Sequence, residues 1–166
     1  MGELHSAPAL CNGEMETPTS EPIRVVLADD HPFVRHGLGV LLEHEQDLEV
    51  IGEADDLDST VRGVDRHRPR VLALDPHMAG ASSSEIIARL HDRSPDTQVV
   101  ILTMEENPAF AEHVLACGAL GFVAKERADS ELPQAIRAAA RGEQYVSPGV
   151  AARLHALGRV PGRGER

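Results

Sequence analysis

Five short apolar runs, separated by segments of helical period, most strongly limit how this chain can fold. The runs read IRVVLA (23–28), LEVIGEA (48–54), RVLALD (70–75), TQVVILT (97–103) and ALGFVAK (119–125). The first, third and fourth are nearly continuous in Val, Leu and Ile, which is typical of parallel strands covered on both faces. We therefore predict five strands, most of them buried.

Helix candidates fill the intervals between these runs. Three of them place apolar side chains at helical spacing: 32–44, 107–117 and 130–141. Residues 58–67 and 83–93 occupy the other two intervals, and the second follows a serine run that suits a helix start. Strands that alternate with helices in this way predict an open, doubly wound α/β sheet with right-handed crossovers.

Polar side chains stand at the ends of four of the predicted strands. Asp29 and Asp30 follow the first run, Asp75 ends the third, Thr103 ends the fourth and Lys125 ends the fifth. In open parallel sheets the binding crevice lies beyond the carboxyl ends of the strands. We therefore expect these side chains to share one rim of the sheet.

This combination of side chains suits Mg²⁺ and phosphoryl chemistry. Mg²⁺ takes one or two carboxylates together with waters and phosphate oxygens, and it would offset the adjacent charges of Asp29 and Asp30. A neighbouring carboxylate could attack phosphorus, since an aspartyl phosphate is an accepted covalent intermediate. Lys125 could then neutralise phosphoryl charge, and Thr103 could donate a hydrogen bond to the phosphoryl group.

Each of these residues also has an ordinary structural explanation. Asp29 or Asp30 could cap the helix that starts near His31, and Asp75 could form a turn before the proline. Lys125 could be a solvated charge at a strand end, and Thr103 an ordinary β-branched strand residue. A cap needs only one carboxylate, however. The coincidence of four strand ends favours a shared site over separate structural roles.

Five stretches of the sequence closely resemble the receiver domain of bacterial response regulators, specifically of the NarL/FixJ type. They read LADDHPFVRHGLGVLLE, LALDPHMAG, VVILTM, GALGFVAK and LPQAIRAAARGEQYVSP, and they span about residues 23–148. The resemblance implies a flavodoxin-like (CheY-like) doubly wound sheet of five parallel strands in the order 2-1-3-4-5, with helices on both faces. With the composition, it predicts a flexible acidic tail (1–22), a receiver domain (23–142) and a C-terminal linker or tail (143–166).

The resemblance also implies how the polar residues would act. Asp75 would accept a phosphoryl group from a sensor histidine kinase. Asp30, Asp75 and the backbone carbonyl of His77 would bind Mg²⁺, with Asp29 acting mainly through water. Lys125 would contact the phosphoryl group. The chain would support only its own phosphorylation and dephosphorylation, so we do not expect an enzyme that converts a substrate.

Two further residues would read the phosphorylated state. By the same resemblance, Thr103 would report the arrival of the phosphoryl group and Phe122 would stand at the aromatic switch position. In the family these side chains move inward on phosphorylation and alter the face formed by the fourth helix, the fifth strand and the fifth helix. Such a change is a charge event that biases a bistable element, and it would control transcription or a partner protein.

The loop after the acceptor departs from the family pattern. Pro76 directly follows Asp75, Ala79 replaces a proline, and Ser83 replaces a glycine. Pro76 removes one amide donor, and Ser83 reaches positive φ less easily. An alternative is therefore a phosphorylation-independent pseudo-receiver that acts as an interaction or dimerisation module. A third hypothesis, an aspartyl phosphohydrolase, needs a second acid two residues after the nucleophile, where this chain has His77.

Charge and the C-terminal sequence bear on nucleic-acid binding. The net charge is −11, with 16 basic against 27 acidic residues, whereas DNA affinity depends on clustered Lys and Arg. Residues 143–166 contain one short helix candidate, 149–157, and no second hydrophobic period for a recognition helix. We expect no DNA binding by this chain alone. A receiver-only protein and a fragment of a longer regulator with a helix-turn-helix both remain open.

Location and the remaining candidate ligands follow from composition. No apolar run approaches the length of a membrane span, and Cys11 and Cys117 lack metal-type spacing and suit a reducing cytosol. We therefore expect a cytoplasmic protein without a membrane partner, and a homodimer remains open. His31 and His36, five residues apart, do not face one another well enough to form a metal pair. We assign none of the nine histidines to catalysis.

Overall fold

The computed structural model describes residues 21–78 and 81–159. In this part of the chain the strands are β1 (Ile23–Ala28), β2 (Leu48–Ala54), β3 (Val71–Leu74), β4 (Gln98–Thr103), β5 (Gly121–Ala124) and β6 (Tyr145–Val146). The helices are α1 (Pro32–Glu43), α2 (Leu57–His67), α3 (Ser83–Arg93), α4 (Pro108–Ala116), α5 (Ala128–Ala140) and α6 (Pro148–Ala156), and a 3₁₀ turn (Lys125–Arg127) joins β5 to α5. None of these helices is long and apolar enough to cross a membrane. Most of the predicted N-terminal tail, Cys11, Ala79 and the last seven residues lie outside the described residues.

All the strands belong to one parallel sheet, in the order β2-β1-β3-β4-β5-β6. The predicted order 2-1-3-4-5 is confirmed. The prediction of five strands is corrected to six, because β6 adds to the outer edge of β5 through the pairs Gly121↔Tyr145 and Phe122↔Val146. Two residues are too few to show a strand period in a sequence.

Alternate residues of the inner strands pack on opposite faces of the sheet. Val26 and Ala28 of β1 belong to one apolar cluster with α2, α3, α4 and α6, whereas Val25 and Leu27 belong to another with α1 and α5. Every residue of β3 and β5 is buried. Burial on both faces explains why these runs are almost continuously apolar, and it confirms the doubly wound arrangement.

The folded part of the chain continues past residue 142. β6 pairs with β5, and Val150 and Leu154 of α6 are each only 1% exposed within the cluster that contains α4. Part of the predicted C-terminal linker or tail therefore packs against the rest of the receiver. The short helix predicted at 149–157 is present as α6, but it packs against the domain and is not a solvated tail.

Arg137 ties α5 to the turn between α1 and β2. Its guanidinium lies 2.7 Å from Asp47 and 2.6 Å from Glu45. The hydrogen bond from Arg137 holds the pKa of Asp47 below its ordinary value of 3.8. Because a lowered pKa stabilises the folded state only while the carboxylate is ionised, this contribution exists above pH 3.8 and is lost as the pH falls through the folded-state pKa.

We expect Arg137→Gln to lower the free energy of unfolding by about 1 kcal/mol at pH 7, as is usual for a partly exposed ion pair. The difference from the unmodified protein should shrink as the pH falls below about 4, where protonation removes the pairing in both proteins. Urea unfolding at several pH values measures this. Arg141→Gln, which removes only the exposed pair with Glu143, is the control. Equal losses in the two variants would contradict the expectation.

Candidate functional site

The ends of β1 and β3 place two carboxylates side by side. Ala28 and Leu74 are paired in the parallel sheet, and the next residues are Asp29 and Asp75. The backbone N–H of Asp75 donates to the carbonyl of Ala28 at 2.9 Å, and that of Asp29 donates to the carbonyl of Ala54 at 3.0 Å. Sheet hydrogen bonds therefore continue one residue beyond the strands and fix both aspartates.

Lys125, directly after β5, bridges these two carboxylates. Its Nζ lies 2.7 Å from Oδ2 of Asp29 and 2.9 Å from Oδ2 of Asp75, and all three side chains are buried. Three of the four strand ends that were predicted to share one rim therefore meet here. Lys125 is also the only lysine of the chain, whose other fifteen basic residues are arginines.

The ion pairs keep this pocket charged at neutral pH. Burial alone would raise the pKa of Asp29, but its pairing with Lys125 and its bond from the backbone N–H of His31 outweigh burial and hold the pKa below 3.8. Burial would likewise lower the pKa of Lys125, but its pairing with the carboxylates of Asp29 and Asp75 raises the pKa above 10.5. The pocket thus contains a fixed ammonium beside the ionised carboxylate of Asp29.

His31 is the site residue that the sequence analysis missed. Its Nδ1 lies 2.9 Å from Asp30, 3.1 Å from Asp29 and 3.9 Å from Asp75. The sequence feature that could have indicated this role is the position of His31 directly after the two aspartates. The spacing from His31 to His36 indicates no metal pair, but the nearest possible partners of His31 are the carboxylates that precede it.

The residues present fit a magnesium ion. Asp29, Asp30, His31 and Asp75 bring donor atoms within 4.8 Å of one another. Oδ2 of Asp29 is buried with Lys125 as its ion-pair partner, but it has no well-formed hydrogen bond within the described part of the chain. The side chain of Asp30 is 40% exposed and leaves room for water ligands. Carboxylate oxygens beside water are the donors that Mg²⁺ prefers.

The comparisons with known proteins agree with this geometry. The sequence model of the response regulator receiver domain matches residues 25–137. The chain belongs to the response regulator receiver family. Among the relatives of this receiver, the oxygen regulatory protein NreC of Staphylococcus epidermidis is 38% identical over 125 residues, which cover 75% of this chain and 57% of NreC. The receiver thus spans little more than half the length of the curated relatives it matches.

Solved structures confirm the fold and the NarL type. A LuxR-family response regulator from Aurantimonas sp. has a TM-score of 0.78 and 30% identity, with 82% of this chain and 98% of that chain covered. The signal receiver domain of the response regulator NarL from Mycobacterium tuberculosis has a TM-score of 0.70 and 31% identity, with 75% and 100% covered.

One of the unusual residues after Asp75, Ser83, fits the local structure without strain. Ser83, which replaces a glycine, is the first residue of α3, and Ser82 caps that helix through the N–H of Glu85. A helical residue does not need positive φ, so Ser83 causes no strain. The N–H of His77 donates to Oδ1 of Asp75 at 2.9 Å. The role of the His77 carbonyl as a metal ligand stays a prediction.

The two predicted switch residues, Thr103 and Phe122, lie on the neighbouring strands β4 and β5. Thr103 ends β4 next to Ala124 of β5, and its hydroxyl accepts a hydrogen bond from the N–H of Glu105 at 3.0 Å. Phe122 is fully buried and meets the ring of Phe110 edge-on, at 6.1 Å between centroids. Within the described residues, Thr103 makes no hydrogen bond to the carboxylates.

Proposed function

We propose that this receiver accepts a phosphoryl group on Asp75 from a sensor histidine kinase in the cytoplasm. The bridging position of Lys125, 2.9 Å from Asp75, is the observation that carries the proposal. A buried ammonium at the acceptor can neutralise the charge that a phosphoryl group brings. The receiver would support only its own phosphorylation and dephosphorylation, and its phosphorylated state would control transcription or a partner protein.

The chain's own groups would prepare Asp75 for attack. The N–H of His77 orients Oδ1 of the carboxylate, and Lys125 holds Oδ2. A carboxylate oxygen forms the new bond to phosphorus while the bond from phosphorus to the donor atom breaks. The donor, an imidazole nitrogen of the kinase or the acetate of acetyl phosphate, leaves with the electron pair. The negative oxygens of the phosphoryl group then lie against the ammonium.

The neighbouring carboxylates would hold the metal. Asp30 and Asp75, with Asp29 acting through water, would bind Mg²⁺, which when bound would offset the charge of the phosphoryl oxygens. Thr103 would turn its hydroxyl toward the phosphoryl group, and Phe122 would respond at the neighbouring strand. This change would alter the surface of α4, β5 and α5.

Incubation with acetyl phosphate and Mg²⁺, followed by intact-mass measurement, tests the proposal. We expect the unmodified receiver to gain the mass of one phosphoryl group, and to gain none when EDTA removes the metal. Asp75→Asn should gain no mass, because an amide is too weak a nucleophile. Asp92→Asn, at an exposed position of α3, is the matched control and should behave as the unmodified receiver does.

A pseudo-receiver is the second candidate, and Pro76 is the observation that favours it. Proline provides no N–H at the first position after the acceptor. In that case the chain would act by binding or dimerisation in one fixed state. Failure of the unmodified receiver to gain phosphoryl mass would support this alternative against our proposal, whereas gain of mass on Asp75 would exclude it.

A further inference from the structure

The C-terminal arm, defined as residues 145–159, attaches to the receiver beside the groups that phosphorylation would move. Its strand β6 pairs with β5, and its helix α6 packs against α4. Val150 and Leu154 are each 1% exposed, in the same apolar cluster as Phe122. The arm is therefore part of the core on this side of the sheet.

One polar attachment joins the arm to β5. The N–H of Ser147 donates to the carbonyl of Phe122 at 2.9 Å, and its hydroxyl accepts from the N–H of Ala124 at 3.1 Å. The same hydroxyl donates to the buried carboxylate of Glu131 on α5. Ala124 directly precedes Lys125, so Ser147 contacts the backbone between the switch aromatic and the pocket lysine.

A second polar attachment joins the arm to the segment after β4. Arg153 donates to the carbonyl of Glu106 at 3.3 Å. The preceding residue, Glu105, donates its N–H to the hydroxyl of Thr103. A Thr103 side chain that turned toward a phosphoryl group would release this N–H and free the segment that Arg153 contacts.

We propose that the C-terminal arm is the output element of this receiver, docked in the unphosphorylated state and loosened when Asp75 is phosphorylated. This inference rests on the proposed function. Its physical basis is that two of the arm's polar attachments, those of Ser147 and Arg153, join backbone within three residues of Thr103, Phe122 or Lys125. A third, the exposed ion pair of Arg159 with Glu112 of α4, lies farther along the chain from these groups. Coupling between two sites is reciprocal, so loosening the arm must also favour the phosphoryl-bound state.

Hydrogen exchange measured by mass spectrometry on the full chain tests the first half of the inference. After treatment with acetyl phosphate and Mg²⁺, we expect the amides of α6 to exchange at least about fivefold faster, while those of α2 keep their rates. Intact mass of the same sample reports phosphorylation. Phosphorylated Asp75 with unchanged or slower exchange in α6 would overturn the inference and leave the proposed function intact. If the receiver gained no phosphoryl mass, both the proposed function and this inference would be contradicted.

Two leucines of the C-terminal arm provide a matched pair for the reciprocal effect. Leu154 is 1% exposed, whereas Leu157, just after the helix, is 60% exposed. We expect Leu154→Ala to lower the half-saturating concentration of beryllium fluoride in Mg²⁺, followed by fluorine NMR, by about fivefold. Leu157→Ala should leave it unchanged. A Leu154→Ala protein that remains folded by circular dichroism but binds as Leu157→Ala does would contradict the coupling. If Leu154→Ala does not fold, the exchange experiment decides.

Discussion

Lys125→Met is expected to abolish measurable phosphorylation of Asp75 and to lower the free energy of unfolding by about 3 kcal/mol at pH 7 in EDTA. The methionine leaves Asp29 and Asp75 buried without a cation, and breaking a buried ion pair by removing one partner commonly costs about 3–5 kcal/mol. The rate of phosphorylation should fall by about 100-fold or more, as on removal of a group that stabilises developing negative charge. Urea unfolding and intact mass measure the two effects.

The stability loss should depend on pH in a definite direction. In the unmodified receiver the pKa of Asp29 is lowered and the pKa of Lys125 is raised. The first stabilises the fold above about pH 3.8 and is lost as the pH falls through the folded-state pKa. The second stabilises it below about pH 10.5 and is lost as the pH rises through the folded-state pKa. The difference between the two proteins should therefore be largest between these limits.

Arg127→Met is the control for this experiment, because Arg127 lies exposed in the same 3₁₀ turn. We expect it to change stability by less than about 0.5 kcal/mol. Mg²⁺ should restore more stability to Lys125→Met than it adds to the unmodified receiver, since only the variant lacks a cation between the acids. A variant at Lys125 as stable as Arg127→Met would show that the ion pairs contribute little.

Phe122→Ala is expected to lower the free energy of unfolding by about 3–5 kcal/mol. The ring of Phe122 is fully buried on β5, among residues from α4 and α6. Its removal leaves a cavity beside Phe110, the aromatic ring it meets edge-on. Thermal or urea unfolding measures the loss.

Phe33→Ala gives the matched comparison for the same substitution. Phe33 lies in the first turn of α1 and is 89% exposed, so its truncation should change stability by less than about 0.5 kcal/mol. Phe122→Leu, which keeps most of the buried volume, should lose less stability than Phe122→Ala. Similar losses in Phe33→Ala and Phe122→Ala would mean that the core around β5 repacks without cost.

The sequence predicted the sheet and the acidic pocket well because both depend on strand ends. Val25 to Ala28 form a continuous buried run, and the rule that parallel strands open their carboxyl ends to one rim brings Asp29 and Asp75 together without knowledge of any contact. Lys125 follows from the same rule. Motifs of this kind are local in sequence, so their geometry can be inferred from spacing alone.

The missed features depend on contacts that a sequence pattern does not encode. The side chain of His31, at the start of α1, points toward the carboxylates of Asp29 and Asp30. The spacing between His31 and His36 carries no information about that direction. Tyr145 and Val146 form a strand only because the edge of β5 is free to pair. The segment that forms α6 has too few apolar positions to indicate a buried helix. Val150 and Leu154 are buried because α6 packs against α4.

The single lysine of the chain has a consequence for proteolysis. A protease that cleaves only after lysine has one peptide bond to cut, the bond from Lys125 to Glu126. Such an enzyme must bind the side chain of Lys125, which is held between Asp29 and Asp75 in the folded receiver. The rate of that single cut therefore measures how often the pocket opens.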